Sequence, residues 1–153
     1  MVNQIILKKA ISEDANKIGE VFNLYRQFYK KKPDVEISKK YIQERLDNNE
    51  ADIFFFESDS HCVGFVQLYT TFDSLELSKK IVLYDLYVKS EFRNKGLGKK
   101  LMFAALEFAK ENNVSGIELS TSKNNTTAQG LYEKLGYEQD EDFYNYYLPV
   151  TND

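Results

Sequence analysis

The residues that this sequence lacks exclude several classes of protein. Its 153 residues include one cysteine, one histidine, two prolines and no tryptophan. One cysteine cannot form an internal disulfide, so we expect a reducing, cytoplasmic location. A lone histidine and a lone cysteine provide no spaced ligand set, so we expect no metal. No apolar run approaches the roughly 20 residues that span a bilayer, and the first ten residues lack a signal-peptide apolar region, so we expect no membrane partner.

The length and the charge indicate one acidic globular domain. A chain of 153 residues is long enough for one sizeable core, and we expect a single domain over residues 1–153. The formal net charge is −4. This balance argues against general nucleic-acid binding, which favours basic faces, and it is compatible with a cationic substrate.

The stretch from Ile81 to Leu101 predicts a strand, a basic glycine loop and the start of a helix. Residues 81–89 are almost all apolar or aromatic, as is typical of a central strand. Residues 93–98 break this pattern, and apolar residues then recur at helical spacing. Glycines at the positive end of a helix favour an anion such as a phosphate, although a solvated basic turn would look the same.

The rest of the chain predicts alternating strands and helices. A helix with Ser12 as its cap runs to about Lys30, a second helix is capped by Ser38, and Phe72–Lys80 is a polar connection. The helix at 96–112 makes strands 81–89 and 115–121 parallel neighbours. The other predicted strands are 4–8, 52–57, 62–71 and a C-terminal hairpin of 137–139 and 143–148, and the last helix is 126–135. This order predicts a mixed α/β sheet covered by helices on both faces.

Two motifs in this order resemble those of the GNAT superfamily of acyl-CoA-dependent N-acetyltransferases. The first is R-x-x-G-x-G at Arg93, Gly96 and Gly98. The second is N-x-x-A-x-x-L-Y-x-x-x-G-[FY], which runs from Asn125 to Tyr137. The resemblance implies a mostly antiparallel sheet of six to seven strands, whose central parallel pair splays to hold acetyl-CoA as the cosubstrate.

The resemblance also implies how the protein holds acetyl-CoA. Backbone N–H groups of residues 94–98 would bind the pyrophosphate, and Arg93 with nearby lysines would add positive charge. The pantetheine arm would pair with the edge of residues 86–88 as an added strand does. The implied cofactor-binding residues are Leu86, Tyr87, Val88, Arg93, Asn94, Lys95, Gly96, Leu97, Gly98, Lys99, Asn125, Ala128 and Tyr132.

Acyl transfer to an amine needs a proton acceptor and a proton donor. Only about one in a thousand simple amines is neutral at pH 7. Tyr132 matches the position that acts as general acid in the superfamily, although it could also only pack or hold the cofactor. Asp85 is the only acid between Ile81 and Lys89, and is either the base, a substrate anchor or a structural residue. Some relatives carry Glu at the position of Tyr84.

We therefore expect an enzyme that moves an acetyl group from acetyl-CoA to a primary amine of a small molecule, by direct attack in a ternary complex. The sequence DLYV at 85–88 looks like the branch with polyamine and small amino-acid acetyltransferases. The alternatives are a protein or peptide N-acetyltransferase and a non-catalytic CoA-binding domain. We interpret Cys62 as a core residue rather than an acyl-carrying nucleophile. The Tyr-rich segment 143–147 predicts an exposed edge strand and a homodimer.

Overall fold

The computed structural model describes residues 3–151. Its sheet has five strands in the order β1-β2-β3-β4-β5. The strands are β1 Ile6–Lys9, β2 Asp52–Ser58, β3 His61–Asp73, β4 Ser78–Val88 and β5 Ile117–Glu118. The helices are α1 Ala15–Phe28, α2 Val35–Asp47, α3 Leu97–Glu111 and α4 Thr126–Lys134. The described chain divides after Ser120 into two compact units, and the expectation of one domain over 1–153 stays a prediction.

The sheet is mostly antiparallel, as the sequence predicted. Strands β1 to β4 pair antiparallel in chain order, whereas β4 and β5 are parallel neighbours. The parallel pairing is short, because it joins only Ile81 to Ile117 and Val82 to Glu118. Beyond Val82, no strand of residues 3–151 pairs with this edge of β4. The predicted parallel pair is therefore confirmed, and its splay stays a prediction.

A bulge interrupts the pairing of β3 with β4. Gln67 faces Asp85, and the next residue of β3, Leu68, faces Leu83. Tyr84 is consequently the extra residue on β4. A bulge redirects side chains locally, and here it leaves Tyr84 exposed while its neighbours on both sides are buried.

Helices cover both faces of the sheet. Ile18 and Phe22 of α1 belong to a buried cluster with Phe55 of β2 and Phe65 of β3. The preceding residue of β2, Phe54, instead lies 5.8 Å from the ring of Phe108 on α3. Neighbouring residues of a strand point to opposite faces. Helices α1 and α3 therefore lie on opposite sides of β2.

Two predicted helix caps were wrong. Asp34, not Ser38, caps α2, since its carboxylate accepts a 3.1 Å hydrogen bond from the amide of Ile37. Ser38 is buried in the first turn, where its hydroxyl donates to the carbonyl of Asp34. Ser12 begins a short 3-10 turn ahead of α1, and its hydroxyl bonds Asp47 of the neighbouring helix. A tertiary partner thus takes the hydroxyl of Ser12, whereas the hydroxyl of Ser38 is used within the first turn of its own helix.

Several strand predictions also need correction. The connection predicted at Phe72–Lys80 is instead a tight β3–β4 hairpin, with β4 beginning at Ser78. The strand predicted at 115–121 is reduced to two residues. The described residues after β5 contain no strand, so the predicted C-terminal hairpin was wrong and the sheet has five strands rather than six to seven. Strand propensity takes effect only where a partner edge accepts the backbone hydrogen bonds, and residues 137–148 have no such ladder.

Candidate active site

Asp85 is a buried carboxylic acid on β4. Only 5% of the residue is exposed, and its Oδ2 accepts a 2.7 Å hydrogen bond from Nε2 of Gln67 on β3. Burial raises the pKa of Asp85, while hydrogen bonds from Gln67 and Tyr25 act in the opposite direction. A carboxyl group with a raised pKa is a better proton acceptor than an exposed one.

Tyr25 is the second polar group of this cluster, and our reading of the sequence missed it. The sequence shows it only as one member of the apolar stripe of α1. In the structure it is half-buried, its hydroxyl donates over 3.5 Å to the backbone carbonyl of Tyr84, and it lies close enough to the carboxyl group of the next residue, Asp85, for the two groups to shift each other's pKa. Burial and the neighbouring carboxylate raise the pKa of Tyr25, so its hydroxyl stays protonated. The available signal was a tyrosine in an apolar stripe, because a buried hydroxyl normally finds a partner.

Gln67 links this cluster to the core. The residue is fully buried, and its Oε1 accepts no hydrogen bond from the described residues. A buried polar atom without a partner is costly. The Oε1 of Gln67 can therefore accept one more hydrogen bond, next to the carboxylate of Asp85.

Aromatic rings surround the Asp85 cluster within the first unit. The rings of Tyr69 and Tyr84 are 5.5 Å apart, and the hydroxyls of Tyr69 and Tyr41 are 2.8 Å apart. On the other side, the rings of Tyr25 and Tyr87 are 6.0 Å apart. Ring faces attract cations, so this surrounding is compatible with an amine.

The loop between β4 and α3 has the backbone conformation of an anion site. Asn94 and Gly96 both have positive φ values, of 63° and 76°. The first backbone bond of α3 runs from the amide of Lys100 to the carbonyl of Gly96. The amides of residues 97–99 therefore precede the helical hydrogen bonds, at the positive end of the helix dipole. Leu97 is buried and anchors this helix start in the core.

The side chains of the loop contact the end of β4 and nearby aromatic rings. Arg93 donates from Nε to the carbonyl of Val88 over 2.8 Å, and its guanidinium lies 5.2 Å from the centre of the Tyr87 ring. It therefore ties the loop to the end of β4. Lys95 and Lys99 lie over the rings of neighbouring phenylalanines and are exposed.

The second motif forms a helix with a defined start and end. Asn125 caps α4 by accepting a 3.3 Å hydrogen bond from the amide of Ala128. At the other end, Gly136 has a φ of 95°. The amide of Gly136 donates to the carbonyl of Glu133, and the amide of Tyr137 donates to the carbonyl of Tyr132. These two bonds form a Schellman motif. The rings of Tyr132 and Tyr137 are 6.0 Å apart, so the motif fixes Tyr132 at the last turn of α4.

Cys62 is a core residue of this chain. It is buried, its thiol donates to the carbonyl of Gly64, and burial raises its pKa to about 12. A thiol of this kind is a poor nucleophile because the thiolate is the reactive form. Within residues 3–151 there is no group of three or more His, Cys, Asp or Glu side chains that could hold a metal ion. No helix in the same range is long and apolar enough to cross a membrane.

Comparisons with known proteins agree with this arrangement. The chain is 37% identical over 144 residues to the uncharacterized N-acetyltransferase YhfO of Bacillus subtilis, covering 94% of this chain and 97% of that protein. The crystal structure of a probable acetyltransferase superposes with a TM-score of 0.89 at 33% identity, covering 97% of this chain and 99% of that one. A putative [ribosomal protein bS18]-alanine N-acetyltransferase of Bacillus subtilis is 29% identical over 113 residues, which cover 74% of this chain and 71% of that protein.

The match to a family model identifies the chain. The model of the Acetyltransferase (GNAT) family matches residues 18–137, which include both motifs and the Asp85 strand. The chain therefore belongs to the GNAT family and is an acetyl-CoA-dependent acetyltransferase.

Proposed function

We propose that this enzyme acetylates the primary amine of a small molecule, by direct attack of the amine on acetyl-CoA in a ternary complex. The observation that carries the proposal is the buried Asp85 on β4, beyond the two residues that pair with β5 and ahead of the glycine loop. A carboxyl group with a raised pKa serves an enzyme that must remove a proton from an ammonium group.

The loop and the edge of β4 are suited to acetyl-CoA. A Cβ added at Gly96 would meet no heavy atom within 4 Å, so the backbone there is open to a ligand. The amides of residues 94–99 would bind the pyrophosphate, with charge from Lys95 and Lys99. Arg93 would support this loop from the Val88 carbonyl. Leu86, Tyr87 and Val88 would pair with the amides of the pantetheine arm, because no strand within residues 3–151 pairs with that edge of β4 after Val82.

The second unit would contribute from α4. Asn125 and Ala128, which form the cap of that helix, would contact the cofactor arm. Tyr132 would protonate the departing thiolate, and a backbone N–H of Tyr87 or Val88 would stabilise the developing oxyanion. These roles follow from the family resemblance of the two motifs.

A small amine is the substrate that the first unit supports best. Helix α2 packs closely on α1: a Cβ added at Gly19 would lie 2.6 Å from Cα of Lys39. Helices in this position cover the face that carries Asp85, which favours a small molecule over a folded protein surface. The DLYV sequence at 85–88 further favours a polyamine or a small amino acid.

A peptide or protein amino terminus is the second candidate. It is favoured by the likeness to the putative ribosomal-protein alanine acetyltransferase. A homodimer and a cytoplasmic location stay predictions.

The decisive experiment measures CoA release from acetyl-CoA with a thiol reagent. The only cysteine of the protein is buried, so the background from the enzyme is low. The panel contains diamines, polyamines, amino acids, and a peptide with an amino-terminal alanine. We expect turnover with at least one small amine at a higher kcat/KM than with the peptide. Preference for the peptide would support the second candidate, and no turnover with any amine despite tight acetyl-CoA binding would contradict both.

A further inference from the structure

We propose that the hydroxyl of Tyr25 is a proton relay, which passes a proton from the substrate ammonium to the carboxylate of Asp85. The inference rests on the proposed function, because it assumes an amine substrate. It assigns a catalytic role to a residue of α1 outside both sequence motifs.

The burial of Asp85 is the first argument. With 5% of its surface exposed and Oδ2 already bonded to Gln67, Asp85 offers little direct access to a substrate nitrogen. Tyr25 is only half-buried, and its hydroxyl lies at the backbone carbonyl of Tyr84, next to the carboxyl group of Asp85, where the two side chains shift each other's pKa. Tyr25 therefore connects the buried acid to a more accessible position.

The position of the hydroxyl is the second argument. It lies 3.5 Å from the backbone carbonyl of Tyr84, the bulge residue at the point where β4 leaves its partner. The bulge thus brings a carbonyl, a carboxylate and a hydroxyl from two elements to one place. Tyr69 of β3 is the other described titratable group that interacts with Asp85, and its hydroxyl is already bonded to Tyr41.

Packing alone does not require this hydroxyl. The ring of Tyr25 contacts Phe22, Tyr29 and Phe65 at centroid distances of 5.1 to 6.0 Å. A phenylalanine would preserve these ring contacts. The hydroxyl donates to the Tyr84 carbonyl beside Asp85, and the raised pKa of Tyr25 keeps it protonated and able to donate.

The proton transfers balance over one turnover. One ammonium proton moves to the Tyr25 oxygen while the Tyr25 proton moves to Asp85, and the acid later releases it to solvent. The nitrogen lone pair then forms the C–N bond and the C–S bond breaks. The sulfur takes the proton of Tyr132, and a second nitrogen proton restores that phenol through solvent. The products are an acetamide, the CoA thiol and one proton, and Tyr25 ends each cycle as it began.

The test compares Tyr25→Phe with Tyr29→Phe. Tyr29 lies one turn further along, its ring is 5.1 Å from that of Tyr25, and it is more exposed. With the best amine of the panel, we expect Tyr25→Phe to lower kcat by about 10²- to 10⁴-fold with an unchanged KM for acetyl-CoA. We expect the kcat of Tyr29→Phe to stay within about two-fold of the wild-type value, because substitutions at exposed positions usually have small effects. The solvent deuterium isotope effect on kcat should change in Tyr25→Phe and not in Tyr29→Phe.

A second variant separates the relay from a folding defect. Fluorotyrosine incorporated at position 25 keeps the ring and the hydroxyl but lowers the phenol pKa. A change in kcat and in its pH profile there, without a change when the same residue is placed at position 29, supports the relay. A wild-type kcat in Tyr25→Phe, or an equal loss of kcat in Tyr25→Phe and Tyr29→Phe, overturns the relay and leaves the proposed function standing. A wild-type enzyme that acetylates no amine overturns the proposed function and the relay together.

Discussion

The side-chain amide of Gln67 donates a 2.7 Å hydrogen bond to the carboxylate of Asp85, which faces it on the neighbouring strand. Both residues are buried, and the other amide atom, Oε1, has no partner among the described residues. The pair holds the carboxyl group in one orientation without neutralising it with a cation. Because of this contact, a substitution at Asp85 should affect both the rate of the reaction and the pH dependence of stability.

We predict that Asp85→Asn lowers kcat by about 10²- to 10⁴-fold, because the amide cannot accept a proton. The isosteric amide still accepts the Gln67 bond, so the sheet is preserved. The measurement is the rate of CoA release with saturating acetyl-CoA. Asp142→Asn in the exposed acidic turn is the control and should keep the wild-type rate. Retention of wild-type kcat by Asp85→Asn would show that Asp85 is structural.

The same substitution has a predictable pH dependence of stability. The pKa of Asp85 is raised by burial, so the folded state favours its protonated form. Its contribution to stability is complete below the unfolded pKa of about 3.9, and is lost as the pH rises through the higher folded pKa. Because asparagine does not titrate, the difference in Tm between variant and wild type should increase in favour of Asp85→Asn from about pH 4 to about pH 8. Thermal denaturation across this range measures it, and a difference that falls with pH would contradict the raised pKa.

We predict that Tyr132→Phe lowers kcat by about 10²-fold or more, because phenylalanine cannot protonate the departing thiolate. The ring contact with Tyr137 is retained in the variant. Calorimetric titration with CoA should therefore give an unchanged Kd. A rate equal to that of the wild type would remove Tyr132 as the acid, whereas a weaker Kd with unchanged kcat would make it a cofactor-binding residue.

We predict that Gly136→Ala and Gly130→Ala have opposite effects on stability. Gly136 has a φ of 95°, which costs an L-residue about 1–2 kcal/mol. Gly130 lies inside α4 with open space at its Cβ, where alanine gains about 0.5–1 kcal/mol over glycine. Gly136→Ala should therefore lower the Tm of the local transition, and Gly130→Ala should raise it. Hydrogen exchange of the α4 amides reports this unit directly, and equal protection in both variants would contradict the Schellman geometry.

We predict that Gly96→Ala weakens CoA binding. Its φ of 76° is unfavourable for alanine by about 1–2 kcal/mol, so the loop would relax away from the conformation that presents its amides. We expect the Kd for CoA to rise by about ten-fold, the equivalent of about 1.4 kcal/mol. Gly116→Ala, where the Cβ also meets open space and φ is not positive, is the matched control. Equal affinities in the two variants would argue against the loop as the pyrophosphate site.

We predict that Gly19→Ala destabilises the first unit by about 1–3 kcal/mol, as overpacking does. The added Cβ would lie 2.6 Å from Cα of Lys39, so α1 and α2 would have to separate. Because α1 carries Tyr25, kcat should fall with the stability. Urea denaturation measures the first effect. Wild-type stability in this variant would show that the two helices can move apart without cost.

Much of the backbone around the two motifs could be predicted from the sequence. The strand predicted at 81–89, the glycine turn after it and the helix that follows come from apolar pattern and glycine placement, and the structure has β4 at Ser78–Val88 and α3 from Leu97. The capped α4 and its glycine end follow from Asn125 and Gly136 in the same way. These are local features, in which a few consecutive residues determine the backbone conformation.

The tertiary structure decided the environment of Asp85. Its partners come from β3 and from α1, 18 and 60 positions away along the sequence, and a bulge at Tyr84 sets which residues face each other. No local pattern encodes that register. The failed C-terminal hairpin has the same cause, because aromatic residues such as Tyr144 and Tyr146 form a strand only if a sheet edge is free to pair with them. By itself the sequence determined the family, the glycine loop and the two ends of α4 through short-range conformational preferences. The buried acid and its tyrosine were decided only by long-range packing, because a pKa and a proton path depend on neighbours that folding brings together.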